Sequence, residues 1–574
     1  MASKKVKNMQ ILPLWRLIVV AGVIAFVPVA LLWHLAHLQV LPGQERGFRF
    51  LQTEGEARTL RKEAINAYRG AITDRNGELL AVSTQVKSIY ANPQQLKVSQ
   101  YPALAKALGW SQSALNTRLL KYKQKQFVYL KRHLPPYEAD EILAHRFTGV
   151  SGEEEYRRYY PAGEVVAHVL GFTDIDDIGR EGVELAYEQW LAGAPGAKKL
   201  VKDLKGNVVK DLGMLAAPKP GNDLQLTIDL RLQYIAHKEL KSAIKKQGAK
   251  SGSLVIVAVE TGELLAIVNQ PSYNPNNRSN VKAYQLRNRA FTDVFEPGST
   301  VKPFAVMAAL ESGKYTAEHQ IDTNPGHWRV GSKTIIDPVN YGVIDLNKII
   351  IKSSQVGISK LAIEMGPELL HDMYYRVGLG QSSGSGFPGE SDGYLPNRAS
   401  WHPIEVATLA YGYGLTVNAV QLAQAYSVIA SGGKFIPVKL LSDSNNEPAR
   451  EVVDSRVASK VAGMLARVVT SGGTGTRAHV DAYHVAGKTG TTHKVGKNGY
   501  VDDKYVALFA GFAPVEKPEV VMVVVINEPP SDGEYSGGKA AAPVFSKTME
   551  KVLRVLRVPP EVLSVTSVAG GHHG

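Results

Sequence analysis

From Leu17 to Trp33 the chain carries no charged side chain, and the apolar run extends through neutral His34 and His37 to Leu38. A helix needs ~20 mostly apolar residues to cross a bilayer core, so this stretch constrains everything that follows it. Trp15 and Trp33 flank the run, as aromatic side chains do at the membrane–water boundary. Lys4, Lys5, Lys7 and Arg16 precede it with no acid among them, which puts the N-terminus in the cytoplasm and the remainder outside. Pro28 would kink such a helix, and bilayers tolerate that. A cleaved signal peptide would have an apolar core of only ~7–15 residues and a small-x-small cleavage site. This run is longer and no convincing site follows, so it reads as a retained anchor.

At 574 residues the chain is too long for one core, since domains usually split beyond ~250–300 residues. Two folded units plus appendages are expected. The formal net charge of +13 favours anionic surroundings such as lipid headgroups or an acidic polymer. Lys and Arg alternate with Asp and Glu and form no long basic arm, so nucleic acid is not an indicated partner. There is no cysteine, which excludes disulfides, thiolate catalysis and Cys-ligated zinc. The histidines lack metal-site spacing, and His572 and His573 sit in a polar tail.

Residues 39–60 are polar and read as a stalk. Ile72, then Asp74-Arg75-Asn76-Gly77, then Leu79 to Val82 reads as strand, tight turn, strand. Helical spacing covers 100–145. The Pro- and Ala-rich segment Ala216 to Gly221 marks a boundary. Beyond it, Leu226 to Ile228 suggests a short strand and Arg231 to Lys245 an amphipathic helix. Ser253–Val259 and Leu264–Gln270 flank a hairpin turn at Thr261-Gly262. A mostly helical middle runs from about 299 to 430. Strands return at Tyr505–Ala513 and Val520–Ile526, and a closing helix spans roughly 541–556. Strands at both ends with helices between them predict an α+β domain in which one sheet joins the two ends and carries helices on its faces.

Within that domain, Glu296-Pro297-Gly298-Ser299-Thr300-Val301-Lys302-Pro303 places a sharp turn before an apolar helix. Pro303 fits only a first helical turn, so Ser299 lies at a helix N-terminus with Lys302 on the same face. A serine hydroxyl needs a neighbour to take its proton, and a desolvated lysine has the lowered pKa to do so. Ser-x-x-Lys also occurs at Ser242, Ser279, Ser431 and Ser536, but none of these has the turn-then-helix setting. A second segment, Lys352-Ser353-Ser354-Gln355-Val356-Gly357, reads by itself as a helix start. A third is Gly487-Lys488-Thr489-Gly490-Thr491-Thr492. A phosphate-binding loop would need glycine at 482, where the chain has Ala482.

Ser-x-x-Lys, Ser-x-polar and Lys-Thr-Gly, in this order, resemble the motif set of penicillin-binding proteins and class A β-lactamases. The chain looks like a class B penicillin-binding protein, and most like the division-specific peptidoglycan D,D-transpeptidases (FtsI type). Arg69 to Gly77, Gly171-Phe172-Thr173-Asp174 and Glu181 to Glu184 are similar to that family's non-catalytic pedestal. In the pedestal these segments are expected to be structural turns and hairpins. Ala507 to Pro514 and Ala541 to Phe545 extend the likeness to the end of the domain. The resemblance implies a cytoplasmic segment over 1–16, a transmembrane helix over 17–38 and an elongated mixed α/β pedestal, of the dimerisation type, over 39–220. It further implies a transpeptidase domain over 221–560, an antiparallel sheet with helices on both faces, and a flexible tail over 561–574.

The same resemblance implies the residue roles. Ser299 attacks the penultimate D-Ala carbonyl of a stem peptide, and Lys302 takes its proton. Ser353 relays a proton to the departing D-Ala, and Lys488 supplies positive charge near Ser353. The hydroxyls of Thr489 and Thr491 bind the terminal carboxylate. The backbone N–H groups of Ser299 and Thr491 form the oxyanion hole, Gly490 lets substrate backbone lie against its strand, and Tyr535 walls the pocket. The third residue of the second motif departs from the family's Asn: Gln355 keeps the amide but is one methylene longer. It is expected to contact substrate from a shifted position and to alter β-lactam affinity.

No metal or organic cofactor is implied. The implied partners are peptidoglycan stem peptides, β-lactam antibiotics, the membrane, a glycan polymerase of the shape-and-division family and other divisome proteins. The implied location is the bacterial inner membrane, single-pass, with the catalytic domain in the periplasm. An elongation-specific transpeptidase shares the chemistry. A β-lactam sensor would need a cytoplasmic signalling domain, and a hydrolase a helix-borne Glu with an Asn partner to activate water. A non-catalytic division scaffold predicts that loss of Ser299 has no effect.

Overall fold

A computed structural model describes residues 13–40, 49–50, 53, 55, 60–203, 208–443, 448–496, 499–530 and 533–561. Most of the stalk expected over 39–60, and the tail from 562, lie outside the described residues. Helix α1 (Leu14–Gln39) takes in the apolar run and has no buried residue. Its 26 residues rise about 39 Å, enough for a hydrocarbon core of ~30 Å.

The chain folds into two compact units. The first comprises Met1–Ala67, Gln85–Glu155 and Ala194–Lys219. In it, strands Leu60–Ile65, Gly196–Lys202 and Val208–Ala216 form an antiparallel sheet. Helices Tyr101–Leu108, Gln112–Lys121 and Pro136–Ala144 bury Leu104, Leu108, Leu115, Leu119 and Ile142 in one core. The helical reading of 100–145 misses the strand Val128–Leu134 between them. Val128 and Leu130 are buried there in period-2 alternation, which a helical template overlooks in so short a run.

The second unit comprises Tyr68–Thr84, Tyr156–Gly193 and Pro220–Gly574. Arg69 and Arg158 converge in it on Glu184, with Nε–carboxylate distances of 2.7 and 2.6 Å, and all three side chains are buried. A buried carboxylate between two guanidinium groups would be costly to leave unpaired. These pedestal-like segments therefore serve as a structural clamp. Asp74 turns the chain after Ile72 as expected: its Oδ1 accepts N–H groups of Asn76 at 2.7 Å and Glu78 at 2.9 Å.

Five antiparallel strands form the sheet of this unit: β1 (Ser251–Ala258), β2 (Leu264–Gln270), β3 (Ala486–Gly496), β4 (Gly499–Ala513) and β5 (Val520–Asn527). Their order is β2-β1-β5-β4-β3. Val255 pairs with Val523, so the sheet joins the two ends of the domain, as the pattern of apolar runs implied. Alternation along β1 makes the sheet two-faced. Leu254 and Ile256 face a core with Leu232, Ala236 and Leu240 of α2 (Leu230–Gln247) and with Phe545, Met549 and Val552 of a C-terminal helix. Val255 and Val257 face a core with the central helices, of which α3 (Lys302–Glu311) and α6 (Ala419–Ala430) are almost wholly buried. Between α3 and α6 lie α4 (Leu346–Lys352) and α5 (Gln355–Met365). Helix α7 (Ser455–Val469) precedes β3, and α8 (Ala542–Val555) is that C-terminal helix.

Candidate active site

Ser299 sits in a single 3-10 turn, Gly298–Val301, that runs into α3 with Pro303 in its first turn. The turn is pinned on several sides. Gly298 N–H donates to Gly412 O at 3.0 Å, Thr300 Oγ1 donates to Pro297 O at 2.7 Å, and the buried Tyr426 hydroxyl donates to Thr300 O at 2.7 Å. Gly298 has φ +54°, and a Cβ there would stand 2.5 Å from Thr492 Cγ2. Glycine is thus required both by conformation and by the close approach of β3. Ser299 is half-buried, and its hydroxyl has no hydrogen-bond partner among the described residues.

Lys302 is fully buried. Its Nζ donates to Ser353 O at 2.6 Å and to Ser353 Oγ at 3.1 Å, so its hydrogen bonds run to Ser353 rather than to Ser299. Burial drives its pKa well below the ordinary lysine value; Lys488 pushes the same way and Asp337 opposes both. Lys488 is likewise fully buried, with Nζ 3.3 Å from Thr489 O, and burial pulls its pKa down to about 7. The cause is desolvation, because the protonated form must give up its hydration.

Ser353 does not begin a helix. It closes α4 with φ +60°, the left-handed conformation, and Ser354 caps α5 by accepting Gly357 N–H at 2.9 Å. A non-glycine residue held there costs about 1–3 kcal/mol. Asp337 holds this junction: its carboxylate accepts Ser354 Oγ–H at 2.5 Å, Gln355 N–H at 2.5 Å and Val356 N–H at 3.2 Å. An anion at a helix N-terminus is favoured by the unpaired N–H groups and the dipole. Gln355 is fixed by its backbone, and its side-chain amide is left without a partner among the described residues.

Strand β3 carries the third motif, with Lys488 opposite Ala510 and Thr491 opposite Ala507. Thr489 Oγ1 lies 2.9 Å from Thr474 Oγ1, and Thr491 Oγ1 accepts Gly537 N–H at 3.0 Å. Gly490 is closely packed. A Cβ there would meet Thr300 Cγ2 at 2.9 Å, Pro297 O at 3.0 Å and Leu508 Cβ at 3.2 Å. The position therefore seats the strand against the Ser299 turn and the neighbouring strand. Replacing Gly490 by Ala should cost about 1–3 kcal/mol through overpacking and displace the Ser299 turn; a thermal melt beside the acylation rate checks both. Tyr535 stacks on Tyr505 with ring centroids 4.1 Å apart and planes at 18°.

Some participants have no sequence signal. Asp337 follows a short hairpin strand, and nothing near it points to Ser354. Glu296 directly precedes the Pro-Gly turn. Its Oε1 accepts Gly414 N–H at 2.9 Å and the Tyr500 hydroxyl at 3.1 Å, Oε2 is buried without a partner among the described residues, and burial raises its pKa.

The penicillin binding protein transpeptidase domain model matches residues 252–550, and the penicillin-binding protein dimerisation domain model matches 64–226. The probable peptidoglycan D,D-transpeptidase PbpC of Pseudomonas aeruginosa is 41% identical over 564 residues, 98% of this chain and 99% of that protein. Peptidoglycan D,D-transpeptidase FtsI of Escherichia coli K12 is 40% identical over 557 residues, 96% of this chain and 93% of that protein. The crystal structure of penicillin binding protein 3 from Mycobacterium tuberculosis, complexed with aztreonam, matches with a TM-score of 0.68 at 26% identity, covering 87% of this chain and 98% of that one. The three motifs that the fold assembles around Ser299, and likeness along nearly the whole chain, have one reading: the chain belongs to the class B penicillin-binding proteins, the peptidoglycan D,D-transpeptidase family.

Proposed function

We propose that this protein cross-links peptidoglycan stem peptides through an acyl-enzyme on Ser299, at the division septum, from a single-pass anchor with its catalytic unit in the periplasm. The observation that carries the chemistry is the buried Lys302, hydrogen-bonded to Ser353 beside the Ser299 turn, with a pKa that burial drives well below the ordinary lysine value. A neutral amine can accept the Ser299 proton as Oγ attacks the penultimate D-Ala carbonyl. The oxyanion is stabilised by the N–H groups of Ser299 and Thr491; one such donor is worth roughly 10²–10³-fold in rate. As the C–N bond breaks, the proton passes through Ser353 to the departing D-Ala amine. An amine from a second stem peptide then attacks the ester, forms the new amide and returns the proton to Ser299.

Thr491 suits the terminal carboxylate, since its hydroxyl accepts Gly537 N–H and still has its own proton to donate, and Thr489 can do the same when Thr474 is the donor of the bond between them. A carboxylate bound there would also favour the charged form of Lys488. The stacked Tyr505 and Tyr535 rings stand as an apolar wall beside β3. FtsI-named relatives support the septal role, and the aztreonam complex of the mycobacterial protein supports acylation by β-lactams. A shape-and-division family glycan polymerase and other divisome proteins are the partners this reading brings.

The test is labelling of the full chain with a fluorescent penicillin, wild type beside Ser299→Ala. A stable stoichiometric adduct on wild type, absent from the variant, is expected. Label on neither folded protein would sink the acyl-enzyme and favour the scaffold, while label that forms and quickly vanishes would mean a hydrolase. Gln355→Asn withdraws the free amide by one methylene and should change the acylation rate by roughly tenfold, the order expected for a displaced contact group. Indistinguishable rates would remove Gln355 from the site.

A further inference from the structure

On the sheet face covered by α2 and α8 there is a cleft of about 830 Å³. Its walls come from the end of α2, the start of α8, Arg477 and the segment after β5. Five cationic side chains line it (Lys245, Lys246, Arg477, Lys539 and Lys547) against two carboxylates, Glu239 and Glu534. Both carboxylates are engaged: Glu534 lies 3.0 Å from Arg477 and 3.8 Å from Lys539, and Glu239 lies 2.6 Å from Lys551. Lys245, Lys246 and Lys547 are exposed and have no ion pair among the described residues. The first turn of α8 adds no acid, and its dipole adds to the positive potential. Ala243, Pro530, Pro543 and Val544 supply apolar wall between the charges.

A cleft lined by five cations against two engaged carboxylates, with apolar wall between the charges, suits an organic ligand that carries several carboxylates. An inorganic phosphate would leave the apolar wall between the charges unused. Two segments connect the cleft to β3. Arg477 closely follows Thr474, whose hydroxyl meets that of Thr489. Glu534 and Lys539 bracket Gly537, whose N–H is held by Thr491 Oγ1. We infer that this cleft binds a stem peptide of the cell-wall polymer, its carboxylates at Lys245, Lys246 and Lys547 and its alanyl methyl groups on the apolar wall, apart from the catalytic centre. The inference rests on the transpeptidase reading for its ligand class.

The experiment is an anisotropy titration of the full chain in detergent with a fluorescent stem tripeptide, L-alanyl-γ-D-glutamyl-diaminopimelate, which lacks the D-Ala-D-Ala end and cannot be an acyl donor. Saturable binding to wild type is expected, about tenfold weaker or more in Lys245→Glu/Lys246→Glu/Lys547→Glu and intermediate in the corresponding Gln variant. Thermal melts check that the variants fold; should the Glu variant fail, the Gln variant carries the comparison. Equal affinity for wild type and variant, or no saturable binding to wild type, overturns the proposal. So does hexa-L-glutamate displacing the probe as well as unlabelled tripeptide does, which would mark an acidic protein segment as the occupant. The penicillin test involves no stem peptide, so failure of the transpeptidase reading shows separately as an unlabelled wild type.

Discussion

Lys302→Met should leave a folded protein that reacts with penicillin roughly 10³–10⁴-fold more slowly, the upper range for loss of a positioned general base. Methionine is close to lysine in volume, so the core around α3 stays filled. The pH dependence separates this from a packing defect. Burial lowers the folded-state pKa of both Lys302 and Lys488, the latter to about 7 against an ordinary 10.5. Between those values the unfolded chain binds a proton that the folded chain does not, so wild-type stability rises with pH across that window. The variant should lose the Lys302 share of this rise and gain most, relative to wild type, on the acid side. The wild-type acylation rate should climb toward alkaline pH as the amine loses its proton. Stopped-flow labelling and melts at several pH values measure both; an unchanged rate would mean that Ser299 is activated by another group.

Asp337→Asn should slow acylation by about 10–100-fold although the side chain touches neither Ser299 nor Lys302. Hydrogen bonds to a charged partner contribute about 1.5–3 kcal/mol each, and this carboxylate accepts three at the α4–α5 junction. The neutral amide keeps the size but relaxes the junction, and with it the left-handed backbone that presents Ser353 to Lys302. Misplacement on the order of 1 Å is enough for such a loss. Asp337 also opposes the lowering of the Lys302 pKa. Its neutralisation should therefore shift the rising limb of the rate–pH profile toward lower pH, which a purely structural defect would not do. A profile of unchanged midpoint would confine Asp337 to scaffolding.

The parts of the site legible in the sequence are those with local geometry. Pro297-Gly298 and Pro303 mark a turn and a first helical turn, so Ser299 and Lys302 could be placed on one face without any tertiary knowledge. The sheet was legible too: Val520 to Ile526 is too apolar and β-branched for an exposed strand. Where contacts depend on segments far apart in the chain, local pattern is silent. Ser353 reads as a helix start because Ser354 beside it is one, and the tertiary clamp from Asp337 accompanies the left-handed residue in between. The packing of Gly490 against Thr300 and Pro297 likewise has no local signal. The short strand Val128–Leu134 disappeared between three helices whose periodicity dominates the window.

Strand β1 hydrogen-bonds to β2, the next strand in the chain, and to β5, which ends at Asn527. Among the described residues, Lys488 and the threonines of β3 reach β1 and β2 through β4 and β5. During synthesis Ser299 therefore emerges long before the strand that must face it can dock. Pairing across such a separation is slow to form because the intervening loop must first be closed. A chain cut before β5 should therefore leave Ser299 unreactive toward penicillin, since β3 and β4 then have no strand to join them to β1.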